Sequence, residues 1–148
     1  MASMQSQTVA PDQVLRKYRI VAVVGASKNP EKDAHTVPAY MKEHGFQIIP
    51  VNPTADQILG EKVYPSLLDL PAELARKVEV VDVFRPSEEL PEIARQASEM
   101  KKRSSRPFVF WAQLGLENEE AKGILTESRV DYVMNQCMRV VHQMMQRS

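Results

Sequence analysis

Two periodicities alternate along the chain: short unbroken apolar runs, and longer stretches in which apolar residues recur every three or four positions. The first run, Ile20–Val24, has five consecutive apolar residues. It is too short for a globular helix and suits a strand covered on both faces, as in a parallel sheet. Phe46–Val51, Val78–Phe84, Phe108–Leu114 and Val130–Met134 repeat the pattern. Helical stripes separate them: Val37, Tyr40 and Met41, then Leu90, Ile93, Ala94, Ala97 and Met100, then Ala121, Ile124 and Leu125. A short helix opening at Pro11 and Asp12 puts Val14, Leu15 and Tyr18 on one side. Met1–Ala10, polar and without periodicity, reads as a disordered tail. The expected fold is α/β: a Rossmann-like, doubly wound, mainly parallel five-stranded sheet with helices on both faces, forming a single domain over residues 11–148.

Capping and turn residues set the predicted boundaries. Pro38 has no N–H and fits a first helical turn, which places Thr36 near the N-cap and leaves Pro30–His35 as a loop. Gly45 ends that helix. Within Gly60–Leu70 the sequence predicts a short extended piece at Lys62–Tyr64 and one helical turn begun by Ser66. Ser87, ahead of Glu88 and Glu89, predicts the cap of the next helix, and Asn118 the cap of the one after. In the last helix Cys137, Met138, Val140, Val141, Met144 and Met145 spread over a wider face than packing on a sheet requires. That face is expected to meet a second copy or a partner enzyme.

Composition narrows the function. The 148 residues, 43% hydrophobic and 26% charged, suit one globular domain. Nineteen basic residues balance nineteen acidic ones, so no overall field draws the protein to nucleic acid or to an anionic membrane. The basic run Lys101, Lys102, Arg103 and Arg106 has no interleaved aromatic residues and complements a helix C-terminus instead. No apolar run is long enough to span a membrane, and no signal segment opens the chain. The lone Cys137 leaves no internal disulfide. These features predict a cytoplasmic protein with a small-molecule ligand, with neither nucleic acid nor membrane as partner.

Candidate chemistry gathers where strands end. After Val24 the chain turns through Gly25, Ala26, Ser27 and Lys28. Small side chains there let backbone N–H groups approach an anion, a following helix adds the positive end of its dipole, and Lys28 supplies a cation. The same residues also suit a plain strand-to-helix turn. His35 could donate to a bound phosphate or serve only the loop. Arg85, at the end of the third strand, lies at the edge where open α/β sheets bind ligands, and its fork suits a phosphate or a surface ion pair. A dinucleotide oxidoreductase would show G-x-G-x-x-G and an acidic residue at the second strand end. Here Gly25 is followed by Ala26 to Pro30, and the second strand ends in neutral Asn52. A small NAD(P)-dependent or other nucleotide-using enzyme is therefore the alternative reading.

Six ordered blocks carry a family resemblance: Val23–Pro30, Pro50–Pro53, Gly60–Leu67, Val81–Pro86, Trp111–Gly115 and Cys137–His142. They resemble the small stand-alone CoA-binding proteins of bacteria and archaea and, more remotely, the CoA-binding domain of succinyl-CoA synthetase. The resemblance implies a Rossmann-like fold that binds coenzyme A or an acyl-CoA. Gly25, Ala26, Ser27 and Lys28 would take the pyrophosphate, and Asn52 and Pro53 would border the nucleotide. Phe84 and Arg85 would lie beside the adenosine or its phosphates, with Gln113 a further contact. The stretch Lys101–Arg106 departs from the short glycine-containing turn of that family. The synthetases ligate through a phosphorylated histidine on another domain, so acyl-CoA synthesis by this chain alone is not implied.

No catalytic constellation is visible. Cys137 and His142 are poorly placed to share a helix face. His35, His44 and His142 are too scattered for a metal site. If Cys137 opens the last helix, its thiolate would be favoured and a mixed disulfide with the CoA thiol becomes conceivable, against the alternative of a buried, inert cysteine.

Overall fold

The protein is described by a computed structural model covering residues 6–147. Its frame is a parallel sheet of β1 (Ile20–Val24), β2 (Gln47–Val51), β5 (Val80–Val83), β6 (Val109–Ala112) and β7 (Asp131–Val133), in the order β2-β1-β5-β6-β7. Each strand after the first is shorter than its apolar run, because the run continues into the turns at the strand ends, where Phe46, Val78, Phe108, Val130 and Met134 are still buried. Residues of β1 alternate between two cores. Ala22 and Val24 join Leu90, Ala94, Ala97 and Leu125 on one face, and Val21 and Val23 join Leu15, Val37, Met41 and Met138 on the other.

Helices cover both faces. On the first lie α4 (Leu90–Ser104) and α5 (Glu119–Glu127), and on the second α1 (Pro11–Lys17), α2 (Asp33–Glu43) and α6 (Met138–Gln146). The doubly wound α/β fold expected from the run-and-stripe pattern is the one observed. Its switch point falls between β1 and β5, whose following helices depart to opposite faces, opening a crevice at the carboxyl ends of the strands.

Several boundaries differ from expectation, each for an identifiable reason. Helix α2 begins at Asp33, so Pro38 sits inside it rather than in its first turn, and Thr36 is not near the N-cap. Proline deprives the carbonyl four residues back of its helical donor. That carbonyl, on Ala34, instead accepts from the Ser27 N–H at 3.1 Å. Ser87 does not cap a helix with its side chain but starts a 3-10 turn, Ser87–Glu89, ahead of α4. Pro91 cannot donate to the Ser87 carbonyl, which accepts from Leu90 N–H and from Asn118 Nδ2. Asn118 caps α5 as predicted, accepting from Ala121 N–H at 2.9 Å. Between β2 and β5 the extended piece is a hairpin of β3 (Gln57–Ile58) and β4 (Glu61–Lys62), followed by a 3-10 turn at Leu67–Asp69 and a short α3 (Ala72–Ala75) that the pattern did not predict.

The predicted tail also needs correction. Residues 1–5 lie outside the described residues, but Ser6 to Thr8 run antiparallel to β7. Thr8 N–H donates to the Tyr132 carbonyl, Met134 N–H to the Ser6 carbonyl, and Gln7 bridges Val133. An exposed sheet edge offers unpaired backbone groups to any nearby strand, so side-chain periodicity was the wrong signal for this segment.

Candidate functional site

The bend after β1 is built by contacts from neighbouring elements. Gly25 lies at φ 87°, and a Cβ there would stand 2.8 Å from Arg85 Cδ and 3.0 Å from the Phe84 carbonyl oxygen. Only glycine lets the β1 and β5 exits approach this closely. Its own N–H is spent on the Val51 carbonyl, at 2.9 Å. Ser27 is held at both ends by α2: its N–H donates to Ala34, and its carbonyl accepts from His35 Nδ1 at 2.7 Å. His35 thus fixes the bend. The amides of Ala26 and Lys28 have no acceptor among the described residues. Ala26 is buried and Lys28 exposed, so the bend keeps small groups inside and a cation outside.

Asn52 closes the β2 side. Its Nδ2 donates to the Ala26 carbonyl at 2.8 Å, while its Oδ1 accepts from the Thr54 N–H and hydroxyl. The carboxamide therefore ties the β2 exit to the bend, a positioning task that sequence position alone did not suggest. Arg85 is engaged by Glu89, with Nε to Oε1 at 3.0 Å and Nη2 to Oε2 at 2.9 Å. The pair holds the guanidinium above its usual range and the carboxyl below, although both side chains are nearly half exposed and the contact is correspondingly weak.

Gly25, Asn52, Pro53 and Arg85 come together on one cleft of about 490 Å³ on the α4 side of the switch point. That volume lies in the range of small-molecule sites. Glu89, in the 3-10 turn ahead of α4, and Glu92 and Gln96 on α4 complete its wall on that side. Sequence reading missed this wall, having assigned Glu89 only to the helix dipole; the i, i+3 spacing of Glu89 and Glu92 on a helix leaving the ligand edge was the available signal.

Phe84 and Gln113 lie elsewhere. They line a smaller depression of about 160 Å³ on the opposite face, between α2, the ends of β5 and β6, and the start of α6. Gln113 is 5% exposed and bonded at both ends of its amide. Nε2 donates to Asp82 Oδ1 at 2.5 Å, and Oε1 accepts from Met138 N–H at 3.1 Å. It therefore joins the middle of the sheet to the first turn of α6. Asp82 stands in β5 between Val23 and Trp111, and burial pushes its carboxyl up to about 7 although Gln113 and the Val83 backbone favour the charged form. Cys137 precedes α6 at its N-cap position and is half-buried on the same depression.

Comparison with known proteins bears on this geometry. The chain is 41% identical over 130 residues to the uncharacterized protein YneT of Bacillus subtilis, matching 88% of this chain and 90% of that one. It is 35% identical over 112 residues to the ADP-forming acetate–CoA ligase II of Archaeoglobus fulgidus, covering 74% of this chain but only 16% of the ligase. Among solved structures, a hypothetical protein from Pyrococcus horikoshii OT3 superposes with a TM-score of 0.81 at 35% identity, covering 94% of each chain. A protein from Thermus thermophilus superposes at 0.76 with 32% identity, covering 90% of this chain and 97% of the other. The family model described as a CoA binding domain matches residues 19–143, and the chain belongs to that family.

Proposed function

We propose that the protein binds coenzyme A or an acyl-CoA across the β1/β5 switch point, with the diphosphate on the bend Gly25-Ala26-Ser27-Lys28. The observation that carries this reading is the bend itself. Gly25 lets the β1 and β5 exits close against each other beside the bend, and the Ala26 and Lys28 amides have no protein acceptor among the described residues. Lys28 adds a cation from the solvent side. The nucleotide end occupies the 490 Å³ cleft against Asn52 and Pro53, and Arg85 turns from Glu89 to a ligand phosphate, exchanging one charge-assisted fork for another. Phe84 and Gln113 border the opposite side, toward which the pantetheine arm extends. The protein holds CoA for storage, sensing or presentation.

One observation favours a second reading. Glu89 and Glu92 on the cleft wall suit ribose hydroxyls better than a 3′-phosphate, as a cofactor such as NAD would offer. Calorimetry with CoA, dephospho-CoA, NAD and NADP separates the two. The CoA reading expects binding of CoA and none of NAD, and Arg85→Ala is expected to weaken CoA more than dephospho-CoA. Binding of NAD without CoA refutes it.

A further inference from the structure

We infer that the depression between α2, the ends of β5 and β6, and the start of α6 receives a short, uncharged acyl group carried on the CoA thiol. This deepens the CoA reading and rests on it. The walls are apolar: Val37, Phe84, Leu114 and Leu116. Gln113, the amide in the lining, is buried with both ends of its amide held, by Asp82 and by Met138, so the surface left to an occupant is mainly apolar. Leu114 is 70% exposed at the rim, apolar surface that an occupant would cover. The depression lies across the switch point from the nucleotide cleft. From the end of β1 to the end of β6 is two strand spacings, about 10 Å, well within reach of a pantetheine arm whose diphosphate sits on the bend.

Size and charge set the class of acyl group. At about 160 Å³ the depression is a third the size of the nucleotide cleft at about 490 Å³, which suits an acyl group from acetyl to butyryl and leaves a longer chain to run out past its rim. The Asp33 carboxylate at the rim repels an acyl group ending in a second carboxylate.

Calorimetry on the full chain compares CoA with acetyl-, butyryl-, decanoyl- and succinyl-CoA, and maleimide labelling of Cys137 reports occupancy independently. Burial of each methylene is expected to tighten binding about fourfold, so butyryl-CoA binds at least tenfold tighter than CoA. Decanoyl-CoA gains nothing over butyryl-CoA. Succinyl-CoA loses the gain and recovers it in Asp33→Asn. Butyryl-CoA slows Cys137 labelling, whereas adenosine 3′,5′-bisphosphate, which has no arm, leaves it unchanged. Leu116→Trp, filling the depression, abolishes the butyryl preference while CoA still binds. Equal affinities for CoA and its thioesters, or unaltered labelling at saturating butyryl-CoA, overturn the inference and leave the CoA reading standing. Failure of CoA and every thioester to bind overturns the CoA reading and this inference with it.

Discussion

Asp82→Asn measures what it costs to keep a carboxylate in the middle of the sheet. Asp82 is 1% exposed, and burial raises its carboxyl from 3.8 to about 7. The folded protein therefore holds this proton more tightly than the unfolded chain does. As pH rises through the interval between those values, the unfolded state ionises first and stability falls, levelling off above about 7. The whole interval corresponds to about 4 kcal/mol. Asparagine keeps an acceptor for Gln113 Nε2 and never ionises. The variant is thus expected to match wild type near pH 4 and to exceed it by up to about 4 kcal/mol near pH 8, a rise in Tm on the order of 10 °C. Urea unfolding of both proteins at a series of pH values checks this, with the difference between them isolating Asp82 from other titrating groups. A difference that does not change with pH would refute the reasoning, since it would mean that Asp82 carries the same charge in both states throughout.

Other perturbations have equally definite outcomes. Gly25→Ala forces a side chain into positive φ against the Phe84 carbonyl and the Arg85 stem, and should cost about 2 kcal/mol in denaturant unfolding. Glu89→Gln removes a carboxylate from the cleft and releases the Arg85 fork; calorimetry should show CoA binding severalfold tighter, with little change in unfolding free energy. His142 accepts at Nδ1 from the Tyr40 hydroxyl at 2.9 Å or donates to it, and burial, His44 and Arg19 hold its imidazole below the ordinary range. The unfolded chain then takes up this proton more readily, so stability is lost as pH falls below about 6.5. Protection factors of the α6 amides, which correct for the slower intrinsic exchange at low pH, should fall there in wild type and not in His142→Phe.

What the sequence disclosed and what it concealed follow from the range of the interactions involved. Ile20–Val24 and the stripe from Leu90 to Met100 are local patterns that burial on one element explains, and both were legible. Gly25, Asn52, Pro53 and Arg85 were legible as residues at strand ends, and they share the cleft. The Asn52 partner was not, because its bond to Ala26 depends on which loops the topology juxtaposes; the Arg85 partner, Glu89, stands only four residues on and was within reach of a local reading. Gln113 shows the same limit: a polar residue at a ligand edge reads as a contact, yet its amide is consumed by Asp82 and the first turn of α6. Pro38 and Ser87 were misplaced because each carbonyl involved finds a donor outside its own helix, Ser27 N–H in the preceding bend for Ala34 and Asn118 Nδ2 for Ser87, and helical periodicity carries no sign of either. Ser6 to Thr8 failed for a related reason, their order coming from backbone pairing with β7 rather than from side chains.

The carbonyl of Ala34 makes helix and bend depend on one another. An N–H restored at position 38 would regularise the helix and set two donors against each other for a single oxygen, and whenever the helix won, the serine amide would swing free. A substitution that improves local secondary structure would then loosen the loop proposed to hold the diphosphate. At this position intrinsic helix propensity and the fixed shape of the bend are opposed, and the imperfect helix keeps the bend.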